Sequence, residues 1–309
     1  MRHSARAPGL FEARVVASYG RHFLIEDAAG DLHEAHRRGK RGDVVVGDRV
    51  RCRPAATAQA AIEEVAPRAS LLMRADGARS KALAANADRI VVVFAPRPSF
   101  SERFIWRAVL AADAAAIVPL VVLNKTDLDG DGAGRQALER LERLGYATLA
   151  VSAKTTPEET QQTLRAALHA HLNLVVGQSG MGKSTLINLL APLANARTQE
   201  YSVRLNVGRQ TTTASRLFAL EGGGDIIDTP GFQAFGLAHL ELQQIAAAMP
   251  EFNTHLGHCR FADCRHLQEP GCAIRAAVAL GSVDARRHAF YAELAAEAEA
   301  LRSRGRTAR

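Results

Sequence analysis

The sequence predicts a multidomain chain: an N-terminal β-barrel, a central α/β domain, and a C-terminal helical segment that carries a cysteine cluster. Three observations carry this prediction. Residues 11–70 alternate apolar and polar side chains in short runs, residues from about 75 to 240 alternate apolar runs with helical stretches, and three of the four cysteines fall between 259 and 272. With 309 residues the chain has room for two or three domains of ordinary size. The expected bounds are 1–72, 73–238 and 239–309.

Composition narrows the class. The chain is 47% hydrophobic and 23% charged, as ordinary globular proteins are. Its net charge of +7 and its pI of about 9.6 favour polyanionic partners, either nucleic acid or an anionic surface. The start, MRHSARAPGL, has basic residues with no apolar run behind them, so no signal peptide is expected. No apolar run approaches the roughly 20 residues that span a bilayer, and IVVVFA (90–95) and LVVL (120–123) have the length of buried strands. A cytoplasmic protein without membrane contact is expected, and nothing in the sequence demands more than a monomer.

The barrel is read from EARVVASYG, RHFLIED, DLHEAHRR, DRVRCRP and AAIEEVAP, which are punctuated by Gly, Asp and Pro. Five such strands suit an OB-fold, with an SH3-like barrel as the alternative. The connection HRRGKRGDVVVGD (36–48) is strongly basic. Aromatic residues are few, Tyr19 and Phe23 standing out, so phosphate and shape contacts are expected to dominate any RNA binding. Cys52 lies alone on a predicted strand and reads as a small buried side chain.

In the central segment, RIVVVFA, PLVVLN, ATLAVSA, LNLVVG and GDIIDT alternate with SERFIWRAVLAADAA, ALERLERLG, PEETQQTLRAALHAH and KSTLINLLAP. Strands apolar on both faces, alternating with helices, predict a parallel sheet covered on both sides. Trp106 sits mid-helix beside Phe104 and Leu110 and reads as core.

Four motifs follow predicted strands of this sheet. GQSGMGKST, from Gly177, Gln178, Ser179, Gly180, Met181 and Gly182 to Lys183, Ser184 and Thr185, has the form G-x-x-x-x-G-K-[ST] between a strand and a helix. Its backbone N–H groups and helix N-terminus suit phosphates, Lys183 the β- and γ-phosphates, and Ser184 a magnesium ion. IIDTPGF places Asp228 at a strand end, where it can hold magnesium through water, and Gly231 where its N–H can meet the γ-phosphate. NKTD offers Asp127 to guanine N1 and N2, Asn124 to the other base edge, and the stem of Lys125 to the ring, with Thr126 between them. VSAK brings Ser152 and the Ala153 N–H toward guanine O6. Adenine has no matching donor pair for Asp127, so the set predicts GTP over ATP. The base-reading loops precede the phosphate loop in the chain. The site is therefore expected to assemble in space from a circularly permuted order, which compact domains with neighbouring termini permit.

GRQTTT (208–213) is the expected first switch, with Thr212 or Thr213 reaching magnesium. Phe232 stands where a Ras-like enzyme has its water-orienting Gln and cannot make that hydrogen bond. In the C-terminal segment, Cys259, Cys264, His266 and Cys272 form C-x4-C-x-H-x5-C. Three thiolates and one imidazole make a closed tetrahedral set for a structural zinc ion, with three buried free cysteines as the alternative. Further on, Phe290, Leu294 and Leu301 can share one apolar stripe of a helix.

This order of motifs, with a barrel before it and a cysteine cluster after it, resembles the circularly permuted ribosome small-subunit-dependent GTPases, the RsgA/YjeQ family. The resemblance covers nearly the whole chain. It implies GTP hydrolysis in late maturation of the small subunit, binding to that subunit and its 16S rRNA, release coupled to hydrolysis to GDP, and zinc in the cysteine cluster. The family usually has His where this chain has Gln210, which puts a His-based mechanism in doubt here. Gln210 is the candidate for orienting the attacking water, with Lys183 stabilising the phosphates. Two other readings are a non-enzymatic RNA-binding module that holds nucleotide as a structural ligand, and a permuted GTPase acting on another target.

Overall fold

The computed structural model describes residues 9–37, 43–56, 58–76, 79–192, 215–229, 235, 237 and 240–307. Gln210, Thr212, Thr213, Gly231 and Phe232 lie outside the described residues.

The barrel is built from β1 (Phe11–Tyr19), β2 (His22–Asp27), β3 (Leu32–Arg37), β4 (Arg49–Ala56) and β5 (Gln59–Val65). The strands run in the order β1-β2-β3-β5-β4, β4 closes on β1, and β3 pairs with β5 in parallel. This closed Greek-key path is that of an OB-fold. Inside lie Val15, Phe23, Ile25, Val50, Cys52 and Ile62. Burial pushes the Cys52 thiol up to about 12, as befits an inert packing group. Phe23 fills this interior and offers no surface for stacking.

Opposite parity on the same two strands is buried as well. Val16, Ala17 and Leu24, with Val46, point out of the barrel and pack into the core of the central domain. A bulge between Val15 and Ala17 shifts the register of β1, and such bulges re-aim side chains along a strand. The hairpin β6 (Leu71–Asp76) and β7 (Arg79–Ala85) then leads into the central domain, an element the sequence does not announce.

The central sheet contains β8 (Arg89–Phe94), β9 (Val118–Leu123), β10 (Ala147–Ala150), β11 (Leu172–Val176), β12 (Arg216–Ala219) and β13 (Asp225–Asp228), in the order β10-β9-β8-β11-β13-β12. Five strands are parallel, as expected. β12 departs from the expectation: it runs antiparallel to β13 and touches β1 of the barrel at Ala17 and Arg216. Around the sheet pack α1 (Glu102–Ala114), α2 (Ala133–Arg143), α3 (Pro157–Leu168) and α4 (Lys183–Leu190). Three of these starts have a local cause. Ser101 caps α1 by accepting from the Phe104 N–H at 3.3 Å, the Asp129 carboxylate accepts from the Gly134 and Arg135 N–H groups at 2.8 Å, and Pro157 opens α3.

The C-terminal segment holds α5 (Leu242–Ala247), α6 (Ala273–Ala279) and α7 (Ala285–Thr307). Phe290 and Leu294 are buried along α7, while Leu301 is only half-buried, so the predicted stripe weakens toward its end. Trp106 of α1 is core, as expected, with its ring 5.5 Å from that of Phe290. No helix among the described residues is long and apolar enough to cross a membrane.

Candidate nucleotide site and metal centre

The parallel strands end together, so the loops that follow them share one edge of the sheet. From β8 the chain steps outward to β9 and β10, then returns to β11 beside β8 and continues to β13 on the other side. The reversal between β8 and β11 is a topological switch point, where open α/β sheets form their ligand crevices. Residues 124–127 follow β9, Ser152 and Ala153 follow β10, the 177–185 loop follows β11, and Asp228 ends β13. Val175 and Asp228 are paired across β11 and β13, which brings Asp228 beside the root of the phosphate loop.

Asn124 joins three of these loops. Its side chain is buried, donates from Nδ2 to the Met181 carbonyl at 3.1 Å and accepts at Oδ1 from the Ala153 N–H at 3.2 Å. Lys125, in the left-handed region at φ 60°, donates from Nζ to the Gly180 carbonyl at 2.7 Å and the Arg97 carbonyl at 3.0 Å. Thr126 opens a short 3-10 turn that ends at Leu128, and its N–H donates to the Val151 carbonyl at 3.3 Å. Within that turn the Asp127 carboxylate accepts from the Ser152 hydroxyl. Thr155 enters the cluster with no motif to announce it, its Oγ1 lying 2.6 Å from Ser152 Oγ. Only its place directly after the VSAK turn pointed that way.

Two glycines of the phosphate loop are required by close approach. A Cβ on Gly177 would lie 2.3 Å from the Val93 carbonyl oxygen, and one on Gly182, at φ 93°, would lie 2.3 Å from Asn124 Nδ2. Gln178 accepts at Oε1 from the Ser101 N–H at 2.9 Å, tying the loop to the start of α1. Met181 is buried and packs inward, whereas Ser179, Gly180, Ser184 and Thr185 are exposed at the crevice. Lys183 donates from Nζ to the Gly177 and Gln178 carbonyls at 2.6 and 3.0 Å. Burial pulls its ammonium below the usual lysine range while Asp228 holds it up; burial lifts the Asp228 carboxyl while Lys183 and Arg216 hold it down. A partly desolvated ammonium beside exposed backbone and hydroxyl donors suits a polyphosphate, and a carboxylate beside a hydroxyl-bearing helix start suits a hard divalent cation.

The second centre lies in the C-terminal segment. The ligand atoms of Cys259, Cys264, His266 and Cys272 all lie within 4.8 Å of one another. Cys259 Sγ is 3.4 Å from His266 Nδ1 and 4.0 Å from Cys272 Sγ, and Cys272 Sγ is 3.6 Å from His266 Nδ1. Tetrahedral zinc with bonds of about 2.0–2.3 Å separates its ligands by roughly 3.4–3.8 Å, close to the separations among Cys259, His266 and Cys272, so the cluster could hold such an ion. Around them, the His266 carbonyl accepts from His288 Nε2 at 2.7 Å and the Arg265 carbonyl accepts from the Tyr291 hydroxyl at 3.0 Å. These bonds from α7 fix the loop that bears the ligands, as outer contacts of metal sites do.

Known proteins share this whole plan. The family model described as RsgA GTPase matches residues 65–238. The small ribosomal subunit biogenesis GTPase RsgA of Paraburkholderia xenovorans (strain LB400) is 47% identical over 305 residues, covering 96% of this chain and 95% of that one. Its namesake from Burkholderia pseudomallei (strain K96243) is 45% identical over 300 residues, covering 96% of each. The crystal structure of YjeQ from Thermotoga maritima superposes with a TM-score of 0.69 at 26% identity, over 94% of this chain and 98% of that one. The fold of YloQ, a circularly permuted GTPase, is likewise similar, with a TM-score of 0.68 at 22% identity over 96% and 98%. Sheet order, permuted loops, flanking barrel and cysteine cluster together with these matches lead to one assignment: this chain belongs to the RsgA GTPase family.

Proposed function

We propose that this chain is a GTPase that binds the small ribosomal subunit, acts in its late maturation, and leaves it when GTP is hydrolysed to GDP and phosphate. The observation that carries this reading is Asn124, whose side chain bonds both the Met181 carbonyl of the phosphate loop and the Ala153 N–H of the adjacent base-facing turn. One nucleotide can therefore touch both loops at once. The relatives named for small ribosomal subunit biogenesis, similar over nearly the whole chain, support the ribosomal role.

In this reading, Asp127 accepts from guanine N1 and N2, and Asn124, Lys125, Thr126, Ser152 and Ala153 frame the base. Residues 177–185 and the Gly231 N–H hold the phosphates. Ser184 and Asp228, with Thr212 or Thr213, hold magnesium, which supplies charge compensation to the β- and γ-phosphates. Lys183 stabilises charge on the transferred phosphoryl group, and Gln210 orients water. Cys259, Cys264, His266 and Cys272 hold a structural zinc ion. The barrel (1–72) and the zinc segment (239–309) flank the catalytic domain (73–238) and present basic surface to 16S rRNA. The protein works in the cytoplasm as a monomer.

The test is phosphate release from GTP with purified small subunits, large subunits, or neither. Stimulation by small subunits alone, with ATP left intact, is the expected result. Equal rates in all three, or equal turnover of ATP, would refute the reading.

A further inference from the structure

We propose that Thr155, a residue outside the four nucleotide motifs, is a positioning residue for guanine recognition; the inference rests on the GTPase reading above. The argument is a count of protons. The Asp127 carboxylate can only accept, so the short contact between Ser152 Oγ and Asp127 Oδ1 uses the one hydroxyl proton of Ser152. Ser152 then has only lone pairs to offer its other neighbours. Thr155 supplies the donors, with its Oγ1 at 2.6 Å and its N–H at 3.4 Å from Ser152 Oγ. The relay therefore has one direction, Thr155 to Ser152 to Asp127. Ser152 is buried and its backbone carbonyl accepts from the Thr156 N–H at 3.0 Å, so the middle of the relay is held in place. Thr155 is exposed, and no packing role competes with this one.

The consequence falls on the carboxylate plane. A hydrogen bond to Oδ1 from a hydroxyl whose own direction is fixed restricts rotation of the Asp127 carboxylate. A restricted carboxylate presents both oxygens to the paired donors at guanine N1 and N2. A freely rotating one meets a single donor nearly as well but pays more orientational entropy to meet two. Thr155 thus acts on the second contact, which distinguishes guanine from hypoxanthine, a base that lacks the 2-amino group.

Equilibrium binding of GDP, IDP and ADP to the full chain tests this, comparing wild type with Thr155→Val and Thr155→Ser. Thr155→Val keeps the shape and removes the hydroxyl. It is expected to lower the preference for GDP over IDP about three- to tenfold, the size of one ordinary hydrogen bond. Thr155→Ser keeps the hydroxyl and is expected to retain the wild-type preference. A role in shape alone would weaken GDP and IDP in parallel, leaving the ratio unchanged. That result, or a loss in Thr155→Ser as large as in Thr155→Val, overturns the inference. Wild-type protein that binds ADP as tightly as GDP would sink the guanine reading itself, and this inference with it.

Discussion

The barrel and the C-terminal segment are both joined to the central domain, but by different means. The barrel is joined through backbone. β1 bridges β12 of the central sheet, the Ser18 N–H donates to the Ser215 carbonyl at 3.3 Å, and the Ala85 N–H donates to the Val46 carbonyl at 3.0 Å. Arg14 of β1 adds a 2.5 Å ion pair to Asp225 of β13, and the outer wall of the barrel belongs to the central core. The C-terminal segment is joined through side chains. Arg103 and Arg107 of α1 meet Glu293 and Glu297 of α7, Trp106 meets Phe290, and Arg287 lies 5.3 Å over the Trp106 ring while pairing at 2.6 Å with Glu251. Backbone pairing is all-or-none and fixes an orientation, whereas a side-chain seam can re-form one position over. The difference is one of kind: barrel and sheet share hydrogen-bonded backbone, whereas the C-terminal segment meets the central domain through ion pairs and ring contacts.

Chelation of zinc is expected to have the largest effect. Structural zinc in small modules contributes about 10 kcal/mol or more to folding. Heat denaturation followed by tryptophan fluorescence (Trp106 sits at the seam) should show early loss of the C-terminal segment while barrel and sheet still melt together. A single transition at an unchanged temperature would refute it. Next is Gly47→Ala. The new Cβ would lie 2.1 Å from the Ala85 carbonyl oxygen at φ 91°, and a loss of at least about 3 kcal/mol in chemical denaturation is expected.

Arg287→Ala leaves the Glu251 carboxylate without its partner at a site where both are nearly inaccessible, 3% and 6% exposed. Breaking such a pair costs about 3 kcal/mol, and the loss should fall on the C-terminal segment and its seam with α1, where Arg287 covers Trp106. The smallest effect is in pH. Burial lifts the Asp113 carboxyl from 3.8 to about 6, against the pull of the Tyr146 hydroxyl and of Arg287, with Glu251 adding to the lift. Between those values the folded chain holds a proton that the unfolded chain has released. Its favourable contribution is therefore full below about pH 4 and is lost as pH rises through about 6. Asp113→Asn should remove this slope, gaining roughly 1–3 kcal/mol relative to wild type between about pH 4 and pH 7. Parallel stability curves for the two chains would rule it out.

Much of this was legible in the sequence because the signals are local. Glycine at 177 and 182, lysine at 183, and the spacing of Cys259, Cys264, His266 and Cys272 each have one plain use. The five barrel strands were legible from their alternation and turns. What escaped depends on contacts between distant segments. Phe23 and Leu24 are adjacent and both buried, one inside the barrel and one outside it, and alternation cannot tell that both faces of β2 are covered. The β6–β7 hairpin is rich in Ala and charge and poor in strand-forming residues. β12 is four residues long and is defined by its neighbours β13 and β1. Thr155 was invisible for a different reason: it acts through Ser152, and a motif records the residue that touches the ligand.

The bridge from Ala17 to Arg216 also bears on what the edge of the central sheet leaves uncovered. Without β1, the outer edge of β12 at Arg216 would lose its backbone partner, next to the apolar side chains of Leu217 and Phe218. Bare edges of that kind invite pairing between molecules. Removing the first sixty or so residues would thus expose a stretch of sheet edge at Arg216 that Ala17 covers in the intact protein.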